Sequence, residues 1–130
     1  MRTLDTNCIV RWVVRDDPAK TAAMDALIAT RIVSRVPDVA IIEAVYVLES
    51  HYGFTRNDVA DAIRLVIGQA VFDLDRSLWA DVLDFWVTHP KLSVTDVFLA
   101  EDASHRGDTP LVTFDKKVVT QLGGVSPTTN

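Results

Sequence analysis

The chain has 130 residues, 48% hydrophobic and 24% charged, so it is long enough for one domain with its own core and too apolar to remain disordered. A single cysteine excludes an internal disulfide and a cysteine-built zinc site, and the longest apolar run, Ala44–Leu48, is far too short to span a membrane. These features predict a soluble, cytoplasmic protein with no membrane partner. The net charge of −5 disfavours nucleic acid as a partner, unless several acids are collected at a metal site.

Short β-prone runs alternate with helical patterns in the first half of the chain. Apolar residues at intervals of three and four indicate helices, while Pro, Gly and capping residues indicate where helices begin and end. In chain order the pattern predicts a strand at 2–4, a helix after Asp5, a helix from Pro18 through Ile28, a buried strand at 31–36, a long apolar helix at 38–50 and a helix capped by Thr55.

The second half continues the same alternation. The tail from Gly123 is rich in Gly, Ser, Pro and Thr, so we expect it to be loosely held. Before it, the pattern predicts a strand at 70–72, a helix at about 77–88, a helix that opens at Ser93 and ends near Gly107, a strand at 111–114 and a short helix through Leu122.

Strands that alternate with helices in this way form βαβ units around a parallel sheet. Right-handed crossovers place helices on both faces, so the predicted fold is α/β, a three-layer α/β/α sandwich with a central, mainly parallel sheet. No linker divides the chain, and we expect a single domain over residues 1–130. Ligands of such sheets bind beyond the carboxyl ends of the strands, so acids just after strands are placed for chemistry.

Three acids stand at or near a transition from strand or loop to helix: Asp5, Asp96 and Asp115. Each has a purely structural interpretation, because Asp5 and Asp115 are suitable N-caps and Ser93 with Asp96 resembles a capping box. Their repetition in one small domain is nevertheless suggestive, since the carboxylates of all three would gather at the same edge of the sheet.

Glu43 is different because no cap explains it. It lies in segment 39–48, where nine of ten residues are hydrophobic, so we expect it to be buried. A buried carboxylate must be neutralised, form an ion pair or bind a metal. The two interpretations are a place in a metal site and a salt bridge to a nearby arginine, such as Arg35 or Arg11.

Clustered carboxylates repel one another unless a divalent cation neutralises them. A ligand set made only of oxygens selects a hard cation, so Mg²⁺ or Mn²⁺ is the expected metal. The three histidines fall near predicted helix ends, where the helix dipole explains them, and they do not indicate zinc. Carboxylate-held magnesium is typical of sites that transfer phosphoryl groups or cleave phosphodiesters.

Four motifs together resemble the PIN-domain nucleases, and most closely VapC, the toxin of a type II toxin–antitoxin pair. They are LDTN at 4–7, Glu43, SVTD at 93–96 and TFD at 113–115, in the family's order and over essentially the whole chain. The resemblance implies a PIN-like α/β/α fold, a Mg²⁺ or Mn²⁺ cofactor and cleavage of structured RNA, often tRNA or ribosomal RNA. It also implies a homodimer silenced by a VapB-like antitoxin that inserts a segment across the active site. Cys8 departs from the family's usual aliphatic residue without affecting the acids.

Carried over by position, the resemblance assigns the catalytic acids and their supports. The metal ligands are expected to be Asp5, Asp96 and Asp115, with Glu43 acting through water. Asn7 and Thr113 match polar positions that orient these carboxylates. Four cations near the proposed edge are candidates for phosphate contacts or, equally, solvated surface charges: Arg11, Arg15, Lys116 and Lys117. The tryptophans at 12, 79 and 86 lie on apolar helical faces and are expected in the core or a dimer interface.

Other classes of protein fit the acids less well. A receiver-type signalling domain would need two adjacent acids after the first strand, where Thr6 and Asn7 follow Asp5. A haloacid-dehalogenase-like phosphatase would need an acid at Asn7. A catalytically inactive PIN-like module that binds RNA or protein is the remaining alternative, and the intact acids count against it.

Overall fold

The computed structural model describes residues 1–128, and the part of the predicted loose tail at 129 and 130 lies outside these described residues. The chain divides into two compact units, Met1–Asp75 and the part from Arg76 onward. Each unit is described on its own below.

The first unit contains a small parallel sheet and four helices. In chain order its elements are β1 (Arg2–Thr3), α1 (Thr6–Val14), α2 (Pro18–Ala29), β2 (Ser34–Arg35), α3 (Asp38–Ser50), α4 (Arg56–Gly68) and β3 (Phe72–Asp73).

The sheet has the order β1-β2-β3, and both pairings are parallel. In the central strand β2, Ser34 pairs with Arg2 of β1 and with Phe72 of β3. Parallel neighbours require crossover connections, which α1 with α2 and α3 with α4 provide. The predicted α/β class with a parallel sheet is confirmed.

Polar caps determine where the helices of this unit begin. The Asp17 side chain accepts a hydrogen bond from the Lys20 N–H, and Pro18 occupies the first turn of α2, where its missing N–H costs nothing. The hydroxyl of Thr55 accepts from the Asp58 N–H at the start of α4, as the sequence predicts.

The predicted strand at 31–36 is wrong for its first half. Only Ser34–Arg35 forms β2, while Ile32 and Val33 are exposed. Helix α2 ends at Ala29, and Arg31 then adopts a left-handed φ of 58°, so the chain turns here before it can enter the sheet. Segment 31–36 therefore forms a turn followed by a two-residue strand.

Helix α1 packs against α2, α3 and α4, and this packing forms the core of the first unit. Trp12 is half-buried and lies edge-on to the buried Phe72, with ring centroids 5.2 Å apart, so its ring packs against the core. Each large apolar side chain buried there contributes roughly 1.5–3 kcal/mol of transfer free energy. Fully buried members include Ile9, Ile41, Val45, Leu48, Val59 and Ile63.

The second unit is helical, with α5 (Arg76–Trp86), α6 (Val94–Arg106) and α7 (Lys116–Leu122). Helix α6 contacts both α5 and α7. Trp79 and Trp86 are buried, and Trp79 stacks on Phe98 with ring centroids 5.2 Å apart, so these tryptophans also belong to a core.

The predicted strand at 111–114 is not realised as a strand of the sheet. Val112 forms an isolated parallel bridge with Val125 in the segment after α7. Two backbone hydrogen bonds of 2.9 Å hold it, from the Thr113 N–H to the Val125 carbonyl and from the Val125 N–H to the Leu111 carbonyl. The backbone N–H and C=O groups of this segment thus form hydrogen bonds within the second unit. The apolar pattern of residues 111–114 does not predict which segment they pair with.

Gly124 permits this close pairing. A Cβ at that position would lie 3.0 Å from the Thr113 Cγ2 and 3.1 Å from the Leu111 carbonyl oxygen. The segment after α7 therefore approaches residues 111–113 more closely than a side chain would allow.

None of the helices within residues 1–128 combines the length and the apolar character that crossing a bilayer requires.

Candidate functional site

The four predicted acids are divided between the two units. Asp5 and Glu43 lie in the first unit, and Asp96 and Asp115 lie in the second. Asp5, Asp96 and Asp115 stand at helix starts, whereas Glu43 lies inside α3.

Asp5 caps α1 and remains accessible. Its Oδ1 accepts a 3.0 Å hydrogen bond from the Cys8 N–H, and its side chain is exposed. This backbone hydrogen bond, strengthened by a contact with the Cys8 side chain, holds the pKa of the Asp5 carboxyl below its ordinary value. Asp5 is therefore negatively charged at neutral pH, and the cap occupies one of its two oxygens.

Glu43 is held at the start of α1 by a residue that the sequence analysis did not select. The Thr6 hydroxyl donates a 2.9 Å hydrogen bond to Glu43 Oε2 across 37 positions of sequence. Because Thr6 directly follows Asp5, this contact places the Glu43 carboxylate beside the beginning of α1. The structure thus brings two of the predicted acids to the same end of one helix.

The predicted burial of Glu43 is wrong. Glu43 is exposed, as are Val39 and Tyr46, which are 61% and 44% accessible at positions four before and three after it. This spacing places the three on one solvent-facing stripe of α3. The hydrophobic pattern failed because Val39 and Tyr46 were counted as core residues.

The alternative prediction, a salt bridge between Glu43 and Arg35 or Arg11, is also wrong. Within residues 1–128 its hydrogen-bond partner is Thr6, and it forms no ion pair with Arg11 or Arg35. Arg11 instead contacts Asp16 and the hydroxyl of Tyr52, each at 3.2 Å.

Asp96 belongs to a complete capping box at the start of α6. Its N–H donates to Ser93 Oγ at 3.1 Å, and its Oδ2 accepts from the Ser93 N–H at 3.2 Å. The structural interpretation of this acid is therefore correct. This capping role does not exclude a bound metal. Only one carboxylate oxygen of Asp96 accepts a hydrogen bond in the capping box, and the side chain is half-buried.

Asp115 caps α7 and is positioned by Thr113. The Asp115 N–H donates to Thr113 Oγ1 at 3.0 Å, and Asp115 Oδ1 accepts from the Lys117 N–H at 2.8 Å. Thr113 thus contacts the backbone of the residue that it is expected to support. Since α6 and α7 contact each other, the two acids of this unit stand on neighbouring helices.

All four acids share one electrostatic property. Within residues 1–128 none of them forms an ion pair, and their partners are backbone N–H groups and a hydroxyl. By contrast, Arg15 neutralises Asp25 through contacts of 2.7 and 3.2 Å. The protein's own cations do not neutralise the four carboxylates, and as hard oxygen donors they fit Mg²⁺ or Mn²⁺.

Most of the cations predicted to contact substrate are engaged elsewhere. Arg11 pairs with Asp16 and Arg15 with Asp25, and the Lys117 ammonium donates to the Lys91 carbonyl at 3.3 Å. Lys116 is exposed.

A cavity of about 260 Å³ lies beside Asp5 in the first unit. Its lining includes Asn7, which is exposed, and Lys20, a cation that no motif had indicated. Lys20 lies on the first turn of α2, so only the folded arrangement of α1 and α2 reveals its proximity to Asp5. The residues lining the cavity include Asp5, Asn7, Cys8, Arg11, Lys20 and Met24.

A separate group in the described chain joins α5 and α6. The carboxylate and imidazole ligand atoms of Asp81, Glu101 and His105 lie within 4.8 Å of one another, and His105 Nε2 is 2.8 Å from Asp81 Oδ2. The sequence analysis did not reveal this group, because Asp81 joins His105 and Glu101, one turn earlier on α6, only once α6 is packed against α5. None of the four predicted acids belongs to this group.

Comparison with known families gives one match, to the PIN domain, over residues 3–122. Comparisons with curated proteins and with solved structures gave no match. The match confirms the predicted PIN-like α/β/α sandwich and goes against the receiver-type and dehalogenase-like alternatives. PIN domains are in general metal-dependent nucleases, and the matched range contains all four acids with Asn7 and Thr113. The chain therefore belongs to the PIN domain family, and its function is of the nuclease type.

Proposed function

We propose that this protein is a Mg²⁺- or Mn²⁺-dependent endoribonuclease, the toxin of a type II toxin–antitoxin module of the VapC kind. The observation that carries the proposal is the set of four carboxylates without an ion pair, all inside the range that matches the PIN domain. A divalent cation binds carboxylates that the protein's own cations do not already neutralise, and these four meet that condition.

We further propose that both units belong to one PIN domain spanning residues 1–130. The family match supports this, because it runs without interruption from residue 3 to residue 122 and so includes most of each unit.

In this proposal Asp5, Asp96 and Asp115 hold the metal directly, and Glu43 acts through a water molecule. A bound divalent cation lowers the pKa of a coordinated water and offsets the charge that builds on the phosphate. Thr6 fixes the rotamer of Glu43 by its hydrogen bond, and Thr113 fixes the backbone from which Asp115 projects. Asn7 lies two residues after Asp5 and supports the same end of α1.

The phosphates of the substrate are proposed to meet cations at the edge of this site. Lys116 is the most available, since it is exposed and directly follows Asp115. Lys117, Arg11 and Arg15 would have to exchange their present partners for phosphate oxygens, which makes them secondary contacts.

The proposed partners are those that a VapC-type toxin would have. The substrate is RNA of the tRNA or ribosomal RNA class, and the protein is a cytoplasmic homodimer. A VapB-like antitoxin silences it by placing a segment with a basic side chain across the acidic site. A cation is the expected inhibitor there, because the four carboxylates are not neutralised by the protein's own side chains.

Cleavage of defined RNA, with and without Mn²⁺, tests the proposal. Hydrolysis by water leaves a 5′-phosphate and a 3′-hydroxyl and does not require the ribose 2′-hydroxyl as a nucleophile. A substrate with a single 2′-deoxy substitution at the mapped cleavage position should therefore still be cut. Products ending in 2′,3′-cyclic phosphate, or cleavage that survives a chelator, would contradict the proposal. Binding of RNA without cleavage in Mn²⁺ would favour the inactive binding module instead.

A further inference from the structure

Phe114 is an aromatic side chain left in solvent at the centre of a functional motif. It is 80% accessible, although it stands between Thr113 and Asp115. Phenylalanine is among the residues most often buried, and among the exposed large apolar residues this ring is notable for its place directly before a proposed catalytic acid.

The backbone around Phe114 is fixed, so its exposure is not that of a loose loop. The Thr113 N–H is bonded to the Val125 carbonyl at 2.9 Å, and the Asp115 N–H to Thr113 Oγ1 at 3.0 Å. Thr113 and Asp115 are half-buried, while Val112 and Phe114 are exposed. This alternation is that of an extended segment, which directs Phe114 away from the neighbours that hold it.

A shallow cavity of about 500 Å³ adjoins the ring. Its lining within residues 1–128 is Phe114, Lys116, Val119, Thr120, Ser126 and Thr128, which supply a cation and three hydroxyl groups and no side-chain carboxylate. An apolar ring beside a positive charge and hydroxyl groups suits a ligand with a flat face and an anionic group. A nucleotide has both.

We propose that Phe114 is a stacking platform for one unpaired nucleobase of the RNA substrate, and that Lys116 contacts a phosphate next to that base. The inference rests on the proposed function and deepens it, because Phe114 directly precedes Asp115 and the stacked base is therefore close to the phosphate that is cut. A base within a duplex is already stacked on its neighbours, so the substrate must be single-stranded at this point.

The test compares Phe114→Leu, which keeps an apolar side chain, with Phe114→Trp, which keeps an aromatic face. The affinity for a fluorescein-labelled single-stranded RNA octamer is measured by anisotropy in Ca²⁺, and KM and kcat are measured in Mn²⁺. Stacking on one aromatic ring accounts for roughly 5- to 150-fold in affinity. Phe114→Leu should weaken binding and raise KM by at least 5-fold with little change in kcat, and Phe114→Trp should restore both.

The matched control is Leu65→Ala, which removes another exposed apolar side chain, 61% accessible on α4 and remote in sequence from the motif. It should leave binding and KM unchanged. Equal affinities for wild type, Phe114→Leu and Leu65→Ala would overturn the inference even if the RNA is cleaved normally. If wild type cleaves no RNA, the proposed function fails separately, and a loss of RNA affinity in Phe114→Leu alone still supports the platform.

A second copy of the chain is the alternative occupant of this surface. Light scattering after size exclusion distinguishes the two, since Phe114→Leu should leave the oligomeric state as it is in wild type. A variant that dissociates while keeping its RNA affinity would identify Phe114 as an interface residue and overturn the inference.

Discussion

Asp5 combines a structural and a chemical task in one side chain. As the N-cap of α1 it accepts the Cys8 N–H, and as a proposed metal ligand it supplies charge. Asparagine is as good an N-cap as aspartate but carries no charge, whereas alanine provides neither the cap nor the charge. The two tasks can therefore be separated by substitution.

Asp5→Asn should abolish Mn²⁺-dependent RNA cleavage while the unfolding free energy stays within about 0.5 kcal/mol of wild type. Asp5→Ala should lose the activity and also about 1 kcal/mol of stability, because the cap is lost. Urea unfolding and a cleavage assay on the same preparations measure both effects. Wild-type cleavage by Asp5→Asn would remove Asp5 from the metal site.

The lowered pKa of Asp5 makes its contribution to stability dependent on pH. A carboxyl whose pKa is lower in the folded than in the unfolded chain stabilises the fold above the unfolded value, and this contribution disappears as pH falls through the folded value. The stability difference between wild type and Asp5→Asn should thus be constant from pH 7 to about pH 5 and shrink below about pH 4. Urea unfolding in chelator across this range measures it. A difference that grows on acidification would contradict the assignment.

Thr6 is the residue through which Glu43 is placed, so the two should act as one unit. Thr6→Val removes the hydroxyl donor at almost constant volume and should reduce cleavage, and Thr6→Ser should retain it. Glu43→Gln should also reduce cleavage, and the double variant should be no worse than the more damaged single variant. Fully additive losses in kcat would show that the Thr6–Glu43 hydrogen bond does not matter for the reaction.

At the scale of elements, the helices were predicted well, whereas of the strands the one at 2–4 was predicted closely, those at 31–36 and 70–72 only in part, and the one at 111–114 forms only an isolated bridge. Capping residues and the helical period located α3, the Thr55 cap and the Ser93–Asp96 capping box, because these signals are local. A two-residue strand is too short to show the alternating pattern of a strand, so the sequence predicted a strand over 31–36 where only Ser34–Arg35 forms one.

The site was predictable only in part for a related reason. The acids are visible in the sequence because three of them lie within short motifs at predicted helix starts and Glu43 interrupts an apolar segment. The exposure of Glu43 depends on which side of an apolar helix faces solvent, and its contact with Thr6 spans 37 positions, so neither has a local signal. Lys20 was missed in the same way.

The bridge between residues 112 and 125 depends on Gly124. Gly124→Ala would force its Cβ against the Leu111 carbonyl oxygen and the Thr113 methyl group, and backbone atoms cannot move aside cheaply. We expect a loss of about 1–3 kcal/mol, with weaker cleavage because Thr113 positions Asp115. Gly68→Ala in α4 is the control, since a Cβ there meets nothing within 4 Å. Thermal melts of both variants measure the effect, and equal melting temperatures would contradict the steric account.

At the scale of the whole molecule, the proposed metal explains how a protein of negative net charge binds RNA, which is itself negatively charged. The net charge is −5, and four of the carboxylates that produce it belong to the proposed site. When a divalent cation offsets part of that charge, the remaining surface no longer repels phosphate strongly. Membership of the PIN domain family indicates a nuclease-type function for the chain, and the proposal assigns that chemistry to these acids.

The most direct test is the rate of RNA cleavage as a function of Mn²⁺ concentration for wild type and Asp96→Asn. Asparagine keeps a hydrogen-bonding side chain in the capping box, so the fold should persist and circular dichroism should not change. His105→Gln is measured in parallel, because it disrupts the separate group of Asp81, Glu101 and His105, whose ligand atoms lie within 4.8 Å of one another. We predict saturable Mn²⁺ dependence in wild type and His105→Gln, and no cleavage at any Mn²⁺ concentration in Asp96→Asn. Loss of activity in His105→Gln, with full activity in Asp96→Asn, would contradict the assignment of the metal to the four acids.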